Sequence, residues 1–198
     1  MLFLVSCGSD SGNKKDESPS VDSISQDSLT KNNAPDLAEQ FRDFRDALYQ
    51  HKIAQAKVFF DFPVLNPNNE VWIYIKRNEG IENAYTDTKP KLFSDTDFEK
   101  HFNALFPERF IRCLLKVKSD ELFQTGKFDT EEILEDDFLD RIYATFDQKT
   151  GELLLNHYSE DIPGPEDEDD WAIEFNANYY FHVDKQGALK FVKIRLAG

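Results

Sequence analysis

Positive charge is scarce in this chain. Lys and Arg number 23 against 38 Asp and Glu, a formal net charge of -15 over 198 residues. Nucleic-acid binding needs Lys and Arg to neutralise phosphates, so this balance argues against a nucleic-acid partner. It argues equally against docking on anionic lipid through a basic patch. Long apolar runs are missing as well: no internal stretch is apolar for the roughly 20 residues that a membrane span needs. The cysteines are two, Cys7 and Cys113, far apart and without CxxC or His-paired spacing. A zinc site and the disulfide framework of a small secreted scaffold are therefore not indicated. The 8 glycines form no GxGxxG or GxxxxGK array, and no serine nucleophile elbow is present. Nucleotide binding loses its usual phosphate cradle, and no cofactor is implied.

What is there in quantity is aromatic. The 18 Phe and a 14% aromatic share supply ample material for a packed core. The length suits one domain plus a tail.

The tail begins with a distinctive stretch. Leu4-Val5-Ser6-Cys7 resembles, at every position, the lipobox that ends a bacterial lipoprotein signal. The resemblance implies that residues 1–7 are a truncated signal and that Cys7 is the acylated anchor. Each buried CH₂ of an acyl chain adds about 0.8 kcal/mol, so two or three chains anchor stably where one does not. Only six residues precede Cys7 and none is Lys or Arg. A complete signal has a charged start and an apolar stretch of about 7–15 residues, so the reading carries the expectation of a start codon further upstream. Residues 8–35 are almost all Ser, Asp, Asn, Lys, Gly, Gln and Pro. Such a segment has too little apolar surface to offset its ordering entropy and is expected to be a disordered linker. As a coil it reaches about 30 Å, enough to hold a domain off a membrane. Asp10, Asp16 and Glu17 loosely resemble the signals that send some lipoproteins to the cell surface. The implied location is the bacterial cell envelope, lipid-anchored, at the outer membrane.

Residues 36–198 are expected to form a single domain. Leu37, Phe41, Phe44, Ala47 and Leu48 fall on one face of a helix, with Asp36 as its N-cap. Pro63 ends the helical turn before it, and VWIYIK at 71–76 reads as a short strand. Ser94 starts a second helix carrying Phe98, Phe102, Leu105 and Phe106. A third helix is expected over 107–118, opened by Pro107. Its Arg109, Arg112 and Lys116 read as a solvated face, and Cys113 as a buried small hydrophobe. Residues 130–137 read as an acidic helical turn or loop. From 138 onward the period changes to two: FLDRIYATF, LLLNHYSE, WAIEFNANYYFHV and LKFVKIRL read as two hairpins forming an antiparallel sheet of four strands. The fold class is α+β, with helices packed on a curved antiparallel sheet.

Phe41-x-x-Phe44, Ala47-Leu48, Phe59, Phe62-Pro63, Asp97-Phe98 and Leu105-Phe106 together resemble a run seen in small bacterial lipoproteins of the nuclear-transport-factor-2-like (SnoaL-like) class. The resemblance implies a cone, in which a long helix and two shorter ones pack into a strongly bent sheet. It implies no activity by itself.

Candidate chemistry is sparse. Glu166, Asp167, Glu168, Asp169 and Asp170 are contiguous and lack the alternation of an EF-hand loop, so a solvated acidic loop is expected rather than a calcium site. The histidines His51, His101, His157 and His182 form no HxH or HxxxH pair. Enzymes of the cone class use a His–Asp pair in the cavity, and here His157 or His182 could meet Asp140, Asp147 or Glu174. The row Asn176, Asn178, Tyr180 and His182 shares one strand face and could line such a cavity, or be the solvent side of the sheet. The leading expectation is a non-catalytic envelope lipoprotein binding a small molecule, a peptide or another envelope protein. The rivals are a cavity enzyme of the isomerase or hydrolase kind on the same fold and a purely cytosolic domain of unknown role.

Overall fold

The computed structural model describes residues 36–81, 91–135, 137–162 and 173–197. Cys7, the linker 8–35 and the acidic run 166–170 lie outside them.

The domain opens with α1, Leu37–Tyr49. The Asp36 carboxylate accepts the Ala38 N–H at 2.9 Å and caps it. Phe41, Phe44, Ala47 and Leu48 are its buried stripe. The short α2, Ile53–Ala56, runs into a 3₁₀ turn at Lys57–Phe59. Next comes α3, Glu70–Asn78, where the sequence reads as a strand. Its β-branched and aromatic residues are strand formers, but the ones that become buried are Val71, Tyr74 and Ile75, an i, i+3, i+4 set. Glu70 at its start and Lys76 and Arg77 at its end suit the helix dipole. Burial against the sheet overrides propensity here.

Helix α4, Asp95–Leu105, starts as expected at Ser94 with a full capping box: the Ser94 hydroxyl accepts the Asp97 N–H, and the Asp97 carboxylate accepts the Ser94 N–H at 2.9 Å. Helix α5, Glu108–Lys116, buries Phe110, Ile111, Cys113 and Leu114. A further helix, α6, Ser119–Thr125, ends at Gly126 with φ of 82°, a left-handed cap that suits glycine.

Among the described residues, six antiparallel strands complete the α+β fold: β1 Lys127–Asp129, β2 Ile133–Glu135, β3 Phe138–Asp147, β4 Glu152–Asp161, β5 Ile173–Val183 and β6 Leu189–Ala197. The expected helical turn or loop at 130–137 is replaced by β2, because Ile133 to Glu135 fold back on Asp140 to Phe138. Both β1 and β2 pair with the outer side of β3, and β4 and β5 follow in order to β6 at the other edge. Along β6 the Leu189 N–H donates to Gln40 and the Leu196 N–H to Glu70, while Phe191 bridges Phe60.

Aromatic rings fill the space between helices and sheet. Phe44 meets Phe59 and Phe181 at 5.1 Å between centroids, and Phe110 stacks on Tyr179 at 4.3 Å. Such contacts add to the large area each ring buries.

Candidate functional site

The inward side of the sheet changes character along its length. At one end it is apolar, with Ala144, Phe146, Leu153, Leu155 and Phe181. At the other, the same inward positions carry Asp140, His157, Ser159 and Asp161. Register explains their convergence: His157 is opposite Ile142, Ser159 opposite Asp140, and Asp161 opposite Phe138. Above this polar end lie Tyr74, Arg77 and Asn78 from α3 and Pro107 and Arg109 from the start of α5. Between them is a cavity of about 340 Å³.

At its base the His157 Nε2 is 3.0 Å from the Asp140 Oδ1, both side chains 4% exposed. The two atoms touch without an aligned hydrogen bond, and neither has another hydrogen-bond partner. Burial pushes the Asp140 carboxyl up, but His157, the Ser159 hydroxyl and the Arg109 guanidinium outweigh it and hold the group below its ordinary value. Arg109 stacks on the Phe138 ring, its Cζ 3.9 Å from the centroid, with Nη1 3.5 Å from Ser159 Oγ and 3.7 Å from Asp140 Oδ2. The expectation of a solvated face therefore fails at Arg109, and at Arg112, which pairs with Glu135. It holds for Lys116, which is exposed. Arg77 covers Phe175 at 3.6 Å.

The row Asn176, Asn178, Tyr180 and His182 is elsewhere. Period two turns Phe175, Ala177, Tyr179 and Phe181 inward, so the polar row stands on the opposite face of the sheet and does not line the cavity. There Asn156 donates to Asn176 at 3.1 Å and Asn178 at 2.8 Å, Lys193 lies over Tyr180, and His182 is exposed. Of the His–carboxylate pairings open to the sequence, the structure makes His157 with Asp140. It leaves Asp147 accepting the Lys149 N–H in the β3–β4 turn.

Among the described residues no group of three or more His, Cys, Asp or Glu is placed to hold a metal ion. No helix among them is long and apolar enough to cross a membrane. Comparison with protein-family models, curated proteins and solved structures finds no match. What the arrangement can do chemically is bind: a small cavity with aromatic walls, two guanidiniums, a hydroxyl and a buried His–carboxylate contact has the mix typical of ligand pockets.

Proposed function

We propose that this chain is a tethered ligand-binding protein of the bacterial cell envelope. Cys7 carries the lipid anchor, residues 8–35 are the spacer, and residues 36–198 present the cavity to a small molecule. The observation that carries the binding reading is the open cavity at the polar end of the sheet, with Arg77 and Arg109 on its walls and the buried 3.0 Å His157–Asp140 contact at its base. The tether reading rests on Leu4-Val5-Ser6-Cys7 and the polar composition that follows.

The fold reading extends to the cone-shaped, nuclear-transport-factor-2-like class. Helices that precede the sheet and pack on its inner face support it, as does the register shift between Tyr180 and Phe181 on β5. A shift of that kind bends a strand.

Expression from the full genomic locus tests the tether. Wild type is expected in the membrane fraction and Cys7→Ala in the soluble one; both in the soluble fraction would overturn the anchor. A second reading, general acid–base catalysis, is favoured by the 3.0 Å approach of His157 to Asp140. The aromatic filling between the helices and the apolar end of the sheet favours binding. A ligand recovered unchanged by wild type and His157→Gln alike supports binding, whereas conversion by wild type alone supports catalysis.

A further inference from the structure

The Arg77 guanidinium is held by a ring face, and that of Arg109 by a ring face and a long ion pair with Asp140. Arg77 is exposed at the mouth and has no ion pair or hydrogen bond among the described residues, only its stacking on Phe175. Arg109 reaches its nearest carboxylate oxygen, on Asp140, at 3.7 Å. Stacking occupies the flat faces of a guanidinium and leaves its in-plane N–H donors for another partner, and that fork matches a carboxylate. Arg77 and Arg109 are also fixed in orientation by the rings of Phe175 and Phe138, which lowers the entropy lost when an anion is gripped.

The acidic groups limit the charge of that anion. Asp161 lines the same cavity, and Asp140 lies beneath it. Both carboxylates oppose an incoming anion, and they oppose the two charges of a dianion more than the single charge of a monoanion. The volume of about 340 Å³ is near the lower end of ligand pockets.

We propose that the cavity receives a small organic monocarboxylate, its oxygens taken by the N–H groups of Arg77 and Arg109 and its remaining atoms lying against Tyr74 and Pro107. The proposal rests on the reading of this cavity as a binding site. The Ser159 hydroxyl, beside Arg109, is positioned to add a donor.

The test uses the full 198-residue chain carrying Cys7→Ala, labelled with ¹⁵N. Side-chain Nε–H signals of Arg77 and Arg109 are followed by NMR during titration with sodium acetate and sodium benzoate, at constant ionic strength set by sodium chloride. Benzyl alcohol and benzylamine serve as neutral and cationic probes, and sodium phosphate as the dianion. Saturable shifts with the two carboxylates, and an affinity at least tenfold weaker in Arg77→Gln, are the expected result. Arg42→Gln, which removes only an exposed pair with Asp120, is expected to leave the affinity unchanged. Carboxylate shifts that match chloride, or binding that survives Arg77→Gln intact, would overturn the proposal. Saturable shifts at Tyr74 and His157 from the neutral or cationic probe alone would overturn the carboxylate class while supporting the binding reading. No saturable shift at the cavity from any probe would overturn both.

Discussion

The Tyr179 hydroxyl lies 2.9 Å from the Tyr74 hydroxyl and 2.9 Å from the Leu105 carbonyl. A carbonyl only accepts, so Tyr179 gives its proton to Leu105 and receives that of Tyr74. This short chain ties β5 to α3 and to the end of α4 directly behind the cavity. Both tyrosines are fully buried, and burial raises both hydroxyls above their ordinary values. Tyr179→Phe leaves the Leu105 carbonyl and the Tyr74 hydroxyl each short of a partner. A loss of about 1–3 kcal/mol is expected, read as a lower urea midpoint with an unchanged m-value. Tyr74→Phe keeps the Tyr179–Leu105 bond and is expected to cost less.

Asp140 should show in the acid limb of stability. Its carboxyl is held below its ordinary value in the folded state. The folded chain therefore binds that proton less readily than the unfolded one. The stabilisation is present above the unfolded carboxylate range of about 4 and is lost as pH falls through the folded value. Urea midpoints of wild type and Asp140→Asn are expected to differ most near pH 7 and to converge below pH 4. A gap that stays constant with pH would mean that packing, not charge, sets the effect.

Cys113 is fully buried between Arg112 and Leu114 on α5, and burial pushes its thiol up to about 12. The thiolate is the reactive form. In the Cys7→Ala chain, Cys113 is expected to resist a thiol-specific disulfide reagent at pH 8 while folded and to react fully in 8 M urea. Rapid labelling of the native protein would show that α5 opens.

Ser94→Ala removes the acceptor for the Asp97 N–H and half of the capping box. The expected cost is about 0.5–2 kcal/mol. Because α4 carries Phe98 and Phe102 into the core rather than toward the cavity, carboxylate affinity is expected to stay unchanged.

Much of the fold is legible in the sequence, and the reasons are local. The stripes of α1 and α4 and the alternation of β3 to β6 each repeat long enough to define a face. Helix α3 is not legible, because Val71, Trp72, Ile73, Tyr74 and Ile75 favour a strand and only contact with the sheet selects the helix. The short β2 escapes too, since three residues cannot show a period. For the site, His157 and Asp140 are among the pairings the sequence leaves open, but Arg77, Arg109 and Ser159 are not recognisable as partners. They come from α3, α5 and β4, and only the packing of the two helices over the polar end of the sheet brings them together. One signal is readable beforehand: after Leu153 and Leu155, the inward alternation of β4 continues with His157, Ser159 and Asp161. Polar residues at positions that period two turns inward mark the place where the core stops and a site begins.

The covering of β6 has a consequence for self-association. An open sheet edge offers free N–H groups to any neighbouring copy. Here Gln40, Glu70 and Phe60 occupy positions along that edge from three different segments. At the other edge β1 and β2 are three residues each, too short to template a partner. The two edges of the sheet are thus guarded against fibril-like growth.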